Sequence, residues 1–166
     1  PRNSYGLSKK WAEEYLKLVS SQFPLKTSIL RLANVYGPNV PPFAQSVVAT
    51  FIEQIKKGQP VTVNGDGSQS RDFVFISDVV DAFSRAIISQ TKSNFEVFNI
   101  CSAKGTSLNE LIKVIAGELH KTAVVEHKPS PAETVSWIGD FKYAKKALNW
   151  EPSITLEKGI KKCVLA

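Results

Sequence analysis

Hydrophobic residues recur at helical spacing through the start of the chain. Trp11, Tyr15, Leu18 and Val19 fall on one side of a helix predicted from near Tyr5 to about Ser21, which Phe23-Pro24 ends. The period then shortens, and Thr27 to Leu32 reads as a buried strand before a loop rich in Gly and Pro (Gly37, Pro38, Pro41, Pro42). A second helix is predicted from about Ala44 to Lys57, stopping at Gly58. Val61-Thr62-Val63 is a short strand, Asn64-Gly65-Asp66-Gly67 a turn, and Arg71 to Ile76 alternates as a strand, so Gly65 and Gly67 are expected to make a hairpin. Ser77 or Asp78 can cap a helix running to about Ser89, and Phe95 to Ile100 is a further strand. Ser107-Leu108-Asn109-Glu110 carries the capping-box pattern ahead of a helix from Leu111 to Leu119. A strand near Ala123 to Val125 leads into a polar loop, His127 to Thr134, and two short helices, around Phe141–Leu148 and Leu156–Leu165, close the chain. Strand and helix alternate throughout, which defines the class as α/β.

Composition narrows the function. The 166 residues suit one domain and are 43% hydrophobic and 22% charged, ordinary for a globular protein. The net charge of +6 points to an anionic ligand. The lysines, however, come as scattered pairs (Lys9-Lys10, Lys56-Lys57, Lys145-Lys146, Lys161-Lys162), not as a basic stripe with interleaved aromatics, so no nucleic acid partner is expected. Two cysteines, Cys101 and Cys163, and two histidines lack metal-ligand spacing, and no metal is expected. No apolar run approaches the ~20 residues of a membrane span and no signal peptide is visible, so the expectation is a cytoplasmic protein without a membrane partner. A start at Pro1, without an initiator Met and directly against a motif, reads as a fragment.

That motif is Tyr5-Gly6-Leu7-Ser8-Lys9. Residues four apart share a helix face, so a phenol and an ammonium stand side by side. A free tyrosine has a pKa near about 10, and a fixed positive charge stabilises the phenolate. Such a pair could move a proton at a hydroxyl-bearing carbon, although the same spacing suits an ordinary surface pair. The chain has no Gly-rich strand-turn-helix fingerprint for a dinucleotide pyrophosphate; Gly65 and Gly67 lie in a turn between strands.

Five segments occur in order: Tyr5-Gly-Leu-Ser-Lys9; Arg31-Leu-Ala-Asn34-Val-Tyr-Gly-Pro38; Asn64-Gly-Asp-Gly-Ser-Gln-Ser-Arg71-Asp-Phe-Val-Phe-Ile-Ser-Asp78-Val-Val; Phe98-Asn-Ile100; and Ala147-Leu-Asn-Trp150-Glu-Pro152. Together they resemble the C-terminal half of the extended short-chain dehydrogenase/reductases, the NAD-dependent nucleotide-sugar epimerases and dehydratases. The resemblance implies the C-terminal part of a Rossmann-like fold with its small substrate-binding domain. Residues 1–38 and 73–100 would complete the Rossmann-like part, and 39–72 and 101–166 would be mainly substrate-binding. The N-terminal dinucleotide-binding half is absent from this sequence.

Carried over residue by residue, the resemblance makes Tyr5 the acid/base and Lys9 the ribose-binding partner that tunes it, both therefore touching NAD. It places Asn34 and Arg71 on the diphosphate, Thr62 and Asn64 beside the nucleobase, Val48 near the nucleoside and Glu133 on the ribose. A guanidinium suits the diphosphate because it stays charged and offers a planar fork of donors; the competing reading of Arg71 is a surface ion pair with Asp72. The implied ligand is a nucleotide-diphosphate sugar, and the implied partners are the missing N-terminal half and a second copy, a homodimer packed through the Tyr/Lys helix. The favoured activity is 4-epimerisation of a UDP-sugar through transient oxidation at C4. A GDP- or dTDP-sugar 4,6-dehydratase or 4-keto reductase is the alternative, and a non-catalytic nucleotide-sugar binding module the alternative of another class. Ser130 replaces an arginine of the family pattern, and Lys128 is the nearest cation. Asp72, Asp78 and Asn99 read as structural (an anchor, a helix cap and a backbone partner), and Cys101 as a small buried side chain.

Overall fold

Helix α1 (Ser4–Gln22) starts where Asn3, in extended backbone, accepts the N–H of Gly6 at 2.8 Å, and it ends at Phe23, whose N–H reaches Val19 O. In this computed structural model residues 3–40, 46–89, 93–129 and 136–166 are described. After α1 come β1 (Thr27–Leu32), β2 (Asn34–Tyr36), α2 (Val47–Lys56), β3 (Val61–Asn64), β4 (Ser70–Phe75), α3 (Ile76–Ile88) and β5 (Phe95–Ile100). They are followed by β6 (Gly105–Ser107), α4 (Leu108–Leu119), β7 (Val125–Lys128), α5 (Lys142–Leu148) and α6 (Leu156–Leu165). Local chemistry explains the helix limits. Ser107 Oγ accepts the N–H of Glu110 while the Glu110 carboxylate accepts the N–H of Ser107, so both orphan donors are met at the start of α4. Val48, Phe51, Ile52 and Ile55 recur at helical spacing and give α2 one buried face.

Among the described residues the strands form three small sheets: β1 parallel to β5, β2–β4–β6, and β3 parallel to β7. Strand β4 joins two cores. Its period-2 alternation sends Phe73 and Phe75 into a cluster with Tyr36, Val48, Phe51, Ile55, Leu111, Ile115 and Ile160. Val74, between them, enters a second cluster with Val79, Ala82, Phe98, Ile100, Ala144 and Trp150. Helix α5 therefore packs on the β5 side of the molecule. The α1 helix is tied to the strand beneath it by an ion pair between Glu13 and Arg31 and by Ser20 Oγ···Thr27 Oγ1 at 2.6 Å.

Several elements differ from expectation. Residues 34–36 form a strand, β2, inside what the sequence suggested was a loop; three residues are too few to show a period, and only their register against β4 (Asn34 opposite Phe73, Tyr36 opposite Phe75) makes them one. The same holds for β6, paired antiparallel with Ser70–Asp72. Gly65 and Gly67 take positive φ as the turn requires, but it is not a hairpin: β3 pairs with β7 and β4 with β2 and β6. The turn instead docks on the start of α4, where a Cβ on Gly67 would lie 2.3 Å from Asn109 Oδ1, and Asn109 Nδ2 donates to Asp66 O at 2.9 Å. β1 is only half-buried, with Leu32 40% exposed, because β5 is its only neighbour among the described strands. The expected strand near 123–125 begins at Val125, in register with Val61. Asp78 does not cap α3: the cap position is Phe75, and the Asp78 carboxylate instead accepts hydrogen bonds from Ser153 and Ile154.

Candidate functional site

Tyr5 and Lys9 occupy successive turns of α1, and the Lys9 ammonium stands over the Tyr5 ring, 5.5 Å from its centroid. Tyr5 is 69% exposed, and Leu7, Trp11, Tyr15 and Leu18 on the same helix are exposed as well. The spacing thus delivers a phenol beside a cation at an open surface. The pair is open to solvent, and the sequence carries no glycine-rich strand-turn-helix segment of the kind that cradles a dinucleotide pyrophosphate.

The sheet β2–β4–β6 brings Asn34 and Arg71 together. Asn34 lies opposite Phe73, and Arg71 is two residues before Phe73 on β4, so all three belong to one face. Asn34 Nδ2 donates to Asp72 O at 3.0 Å, and Arg71 Nη1 donates to Ser70 O at 3.0 Å. Asp72 points to the opposite face and is completely buried, so the surface-pair reading of Arg71 with Asp72 does not describe the molecule. Its Oδ1 accepts the N–H and O–H of Ser102, each at 2.7 Å, and its Oδ2 accepts the N–H of Ala103 at 3.0 Å and of Gly139 at 3.1 Å.

Thr62 and Asn64 share the outer face of β3, with Val61 and Val63 buried on the inner one. Register places Glu126 beside Thr62 and Lys128 beside Asn64, so Lys128 joins the polar face that carries two predicted nucleotide contacts. Gln69 Nε2 ties this sheet to β4 by donating to Asn64 O at 2.8 Å. Val48 is 2% exposed and belongs to the core under α2. Glu133 and Ser130 lie outside the described residues. A 410 Å³ cavity between α4, β6 and the start of α6, lined in part by Phe73, Ser102, Thr106, Glu110 and Thr155, contains none of the predicted site residues.

Some features escaped sequence reasoning. Ser136 and Trp137 run beside β4: Ser136 Oγ accepts the Ser70 N–H at 3.1 Å, Trp137 N–H donates to Ser70 O at 3.2 Å, and Trp137 bridges to Arg71. Only the fold brings residues so far apart in sequence together. Asn99 Nδ2 donates to Asp140 O at 3.2 Å, a backbone-satisfying role. Cys101 is fully buried, and burial with the nearby Asp72 charge pushes its thiol up to about 11, which leaves it unreactive as a thiolate. Burial likewise raises the Tyr36 phenol. Among the described residues no group of His, Cys, Asp or Glu could hold a metal ion, and no helix is long and apolar enough to cross a membrane.

The helix with its Tyr/Lys pair, the parallel β1–β5 strands and the sheet carrying Asn34 and Arg71 define part of a Rossmann-like short-chain dehydrogenase/reductase. Residues 1–101 match the model of the NAD dependent epimerase/dehydratase family, and the chain belongs to that family. It is 36% identical over 166 residues to the UDP-glucose 4-epimerase of Mycolicibacterium smegmatis, covering 99% of this chain and 52% of that protein. The dTDP-4-dehydro-6-deoxyglucose reductase of Escherichia coli is 32% identical over the same length, again with 99% and 52% covered. The crystal structure of Thermotoga maritima UDP-glucose 4-epimerase with UDP-glucose superposes with a TM-score of 0.87 at 37% identity, over 97% of this chain and 52% of that one. The chain spans about half the length of the curated relatives it matches.

Proposed function

We propose that this chain is the substrate-side half of a UDP-sugar 4-epimerase, with Tyr5 and Lys9 as the proton-handling pair and the Asn34/Arg71 face as the diphosphate site. The observation that supports the substrate reading most directly is the placement of Asn34 and Arg71 on one face of neighbouring strands, with the Asn34 amide held by the carbonyl of buried Asp72, the residue next to Arg71. NAD, when bound, would accept and return the hydride at C4. Tyr5 would take the proton of the C4 hydroxyl and later give it back, and Lys9 would hold its cation beside that phenol and the ribose. Asn34 and Arg71 would hold the diphosphate while the 4-keto sugar turns, with Thr62, Asn64 and Glu133 toward the nucleoside and Val48 supporting them from the core. Homodimer formation through the exposed face of α1, and a cytoplasmic location, belong to the same reading.

The test is an assay on the polypeptide that joins this chain to a dinucleotide-binding half. With UDP-glucose the expected product is the C4 epimer. A 4-keto-6-deoxy sugar would decide for the dehydratase, and NAD(P)H-dependent reduction of a 4-keto sugar for the reductase. Binding without any turnover would leave a nucleotide-sugar binding module. Calorimetry should show UDP-sugar affinity that Arg71→Ala weakens; unchanged affinity would remove Arg71 from the site.

A further inference from the structure

We propose that Asp72 is a positioning residue for substrate, a role that rests on the diphosphate reading of Asn34 and Arg71. Three independent segments converge on it. Its carbonyl oxygen receives the Asn34 amide, its carboxylate receives the backbone of Ser102, Ala103 and Gly139, and its chain neighbour is Arg71. Through Gly139 the carboxylate holds residues 136–140 against the free side of β4 at Ser70 and Arg71, where β2 does not reach. The approach needs glycine: a Cβ on Gly139 would meet Cys101 Sγ at 2.6 Å and Cys101 Cβ at 2.9 Å. Without that clamp, the strand segment carrying Arg71 keeps β6 on one side and loses its neighbour on the other.

The fold contains its own control. Asp78 is also buried, and its carboxylate receives Ser153 O–H at 2.7 Å, Ser153 N–H at 3.2 Å and Ile154 N–H at 3.1 Å. It secures the connection between α5 and α6, which carries no candidate binding residue. Losing either carboxylate orphans several buried donors, so both should lower stability. Only the loss of Asp72 should disturb the anion site.

Calorimetric titration of the full 166-residue chain with UDP tests this, at a temperature where circular dichroism shows each variant fully folded. Asp72→Ala and Gly139→Ala are expected to weaken UDP binding at least about tenfold, and Asp78→Ala by less than about threefold. Asp72→Asn should fall between, because an amide can keep one oxygen toward Ala103 and Gly139. Equal losses for the Asp72 and Asp78 variants would overturn the proposal. If Asp72→Ala does not fold, Gly139→Ala reads the same contact with the carboxylate intact, and wild-type affinity there overturns it too. If the wild-type chain itself binds no UDP, the diphosphate reading fails separately. Amide exchange then decides the clamp: Trp137 and Gly139 should exchange faster in Gly139→Ala but not in Asp78→Ala, and unchanged protection at both would refute it.

Discussion

The Tyr5/Lys9 helix and the β4–α3 segment carry the two halves of the candidate chemistry, and they are built in opposite ways. On α1 the chemical groups are exposed, the only fully buried side chain is Ser20, and the helix is held to β1 by a few polar contacts. Along β4 and α3 nearly every inward position is buried, two carboxylates are enclosed by donors, and Trp150 Nε1 donates to Asp78 O at 2.9 Å across the second core. The difference assigns a division of labour. On the function proposed above, the Asn34/Arg71 face is pre-formed by its own chain, as holding a charged ligand with fixed donors requires. On the same reading the Tyr5/Lys9 pair is presented on an exposed helix face, without the enclosure that surrounds Asp72.

Four substitutions and a pH series would break or sharpen this contrast. Tyr5→Phe, in the polypeptide with its dinucleotide-binding half, should lower kcat by about a thousandfold. At an exposed position it should shift stability by no more than about 0.5 kcal/mol; steady-state kinetics and a thermal melt check both. A large loss of stability would place Tyr5 in the scaffold instead. Trp150→Ala should cost about 3–5 kcal/mol in chemical denaturation, since it empties a fully buried site and orphans the Asp78 carbonyl. Arg71→Ala should weaken UDP-sugar binding by roughly 1.5–3 kcal/mol, the scale of a charge-assisted hydrogen bond, with little change in the melting temperature. Ser107→Ala should cost about 1 kcal/mol by removing the cap of α4, and leave ligand affinity unchanged.

The smallest effect concerns the tether of α1. The Arg31 guanidinium holds the Glu13 carboxyl below its ordinary value near 4.5. A depressed folded pKa contributes stability that is present above that ordinary value and lost as pH falls through the folded one. Acidification below about pH 4.5 should therefore loosen α1 from β1, slightly, because the pair is partly exposed. Amide exchange in α1 should rise in that range for the wild type, and Glu13→Gln should remove this dependence. Equal loosening in α3 would erase the contrast between the two regions.

Local signals account for what could be read without a structure. The capping box at Ser107–Glu110, the helical spacing of α2 and the runs at Thr27–Leu32 and Phe95–Ile100 carry their information within a few residues, and they emerge at or near their predicted limits. The ordered motifs from Tyr5 to Pro152 made the family legible, because chemistry at a site demands particular residue types at particular spacings. Tertiary structure alone decided the rest. Asn34–Tyr36 and Gly105–Ser107 are strands only because β4 runs between them. Asp78 looks like a helix cap until a segment about 75 residues later supplies its donors. Asp72 looks like a partner for Arg71 until the pleat turns it to the other face and buries it. Register, burial and the partners of a polar group depend on residues distant in sequence, so no window of the chain contains them.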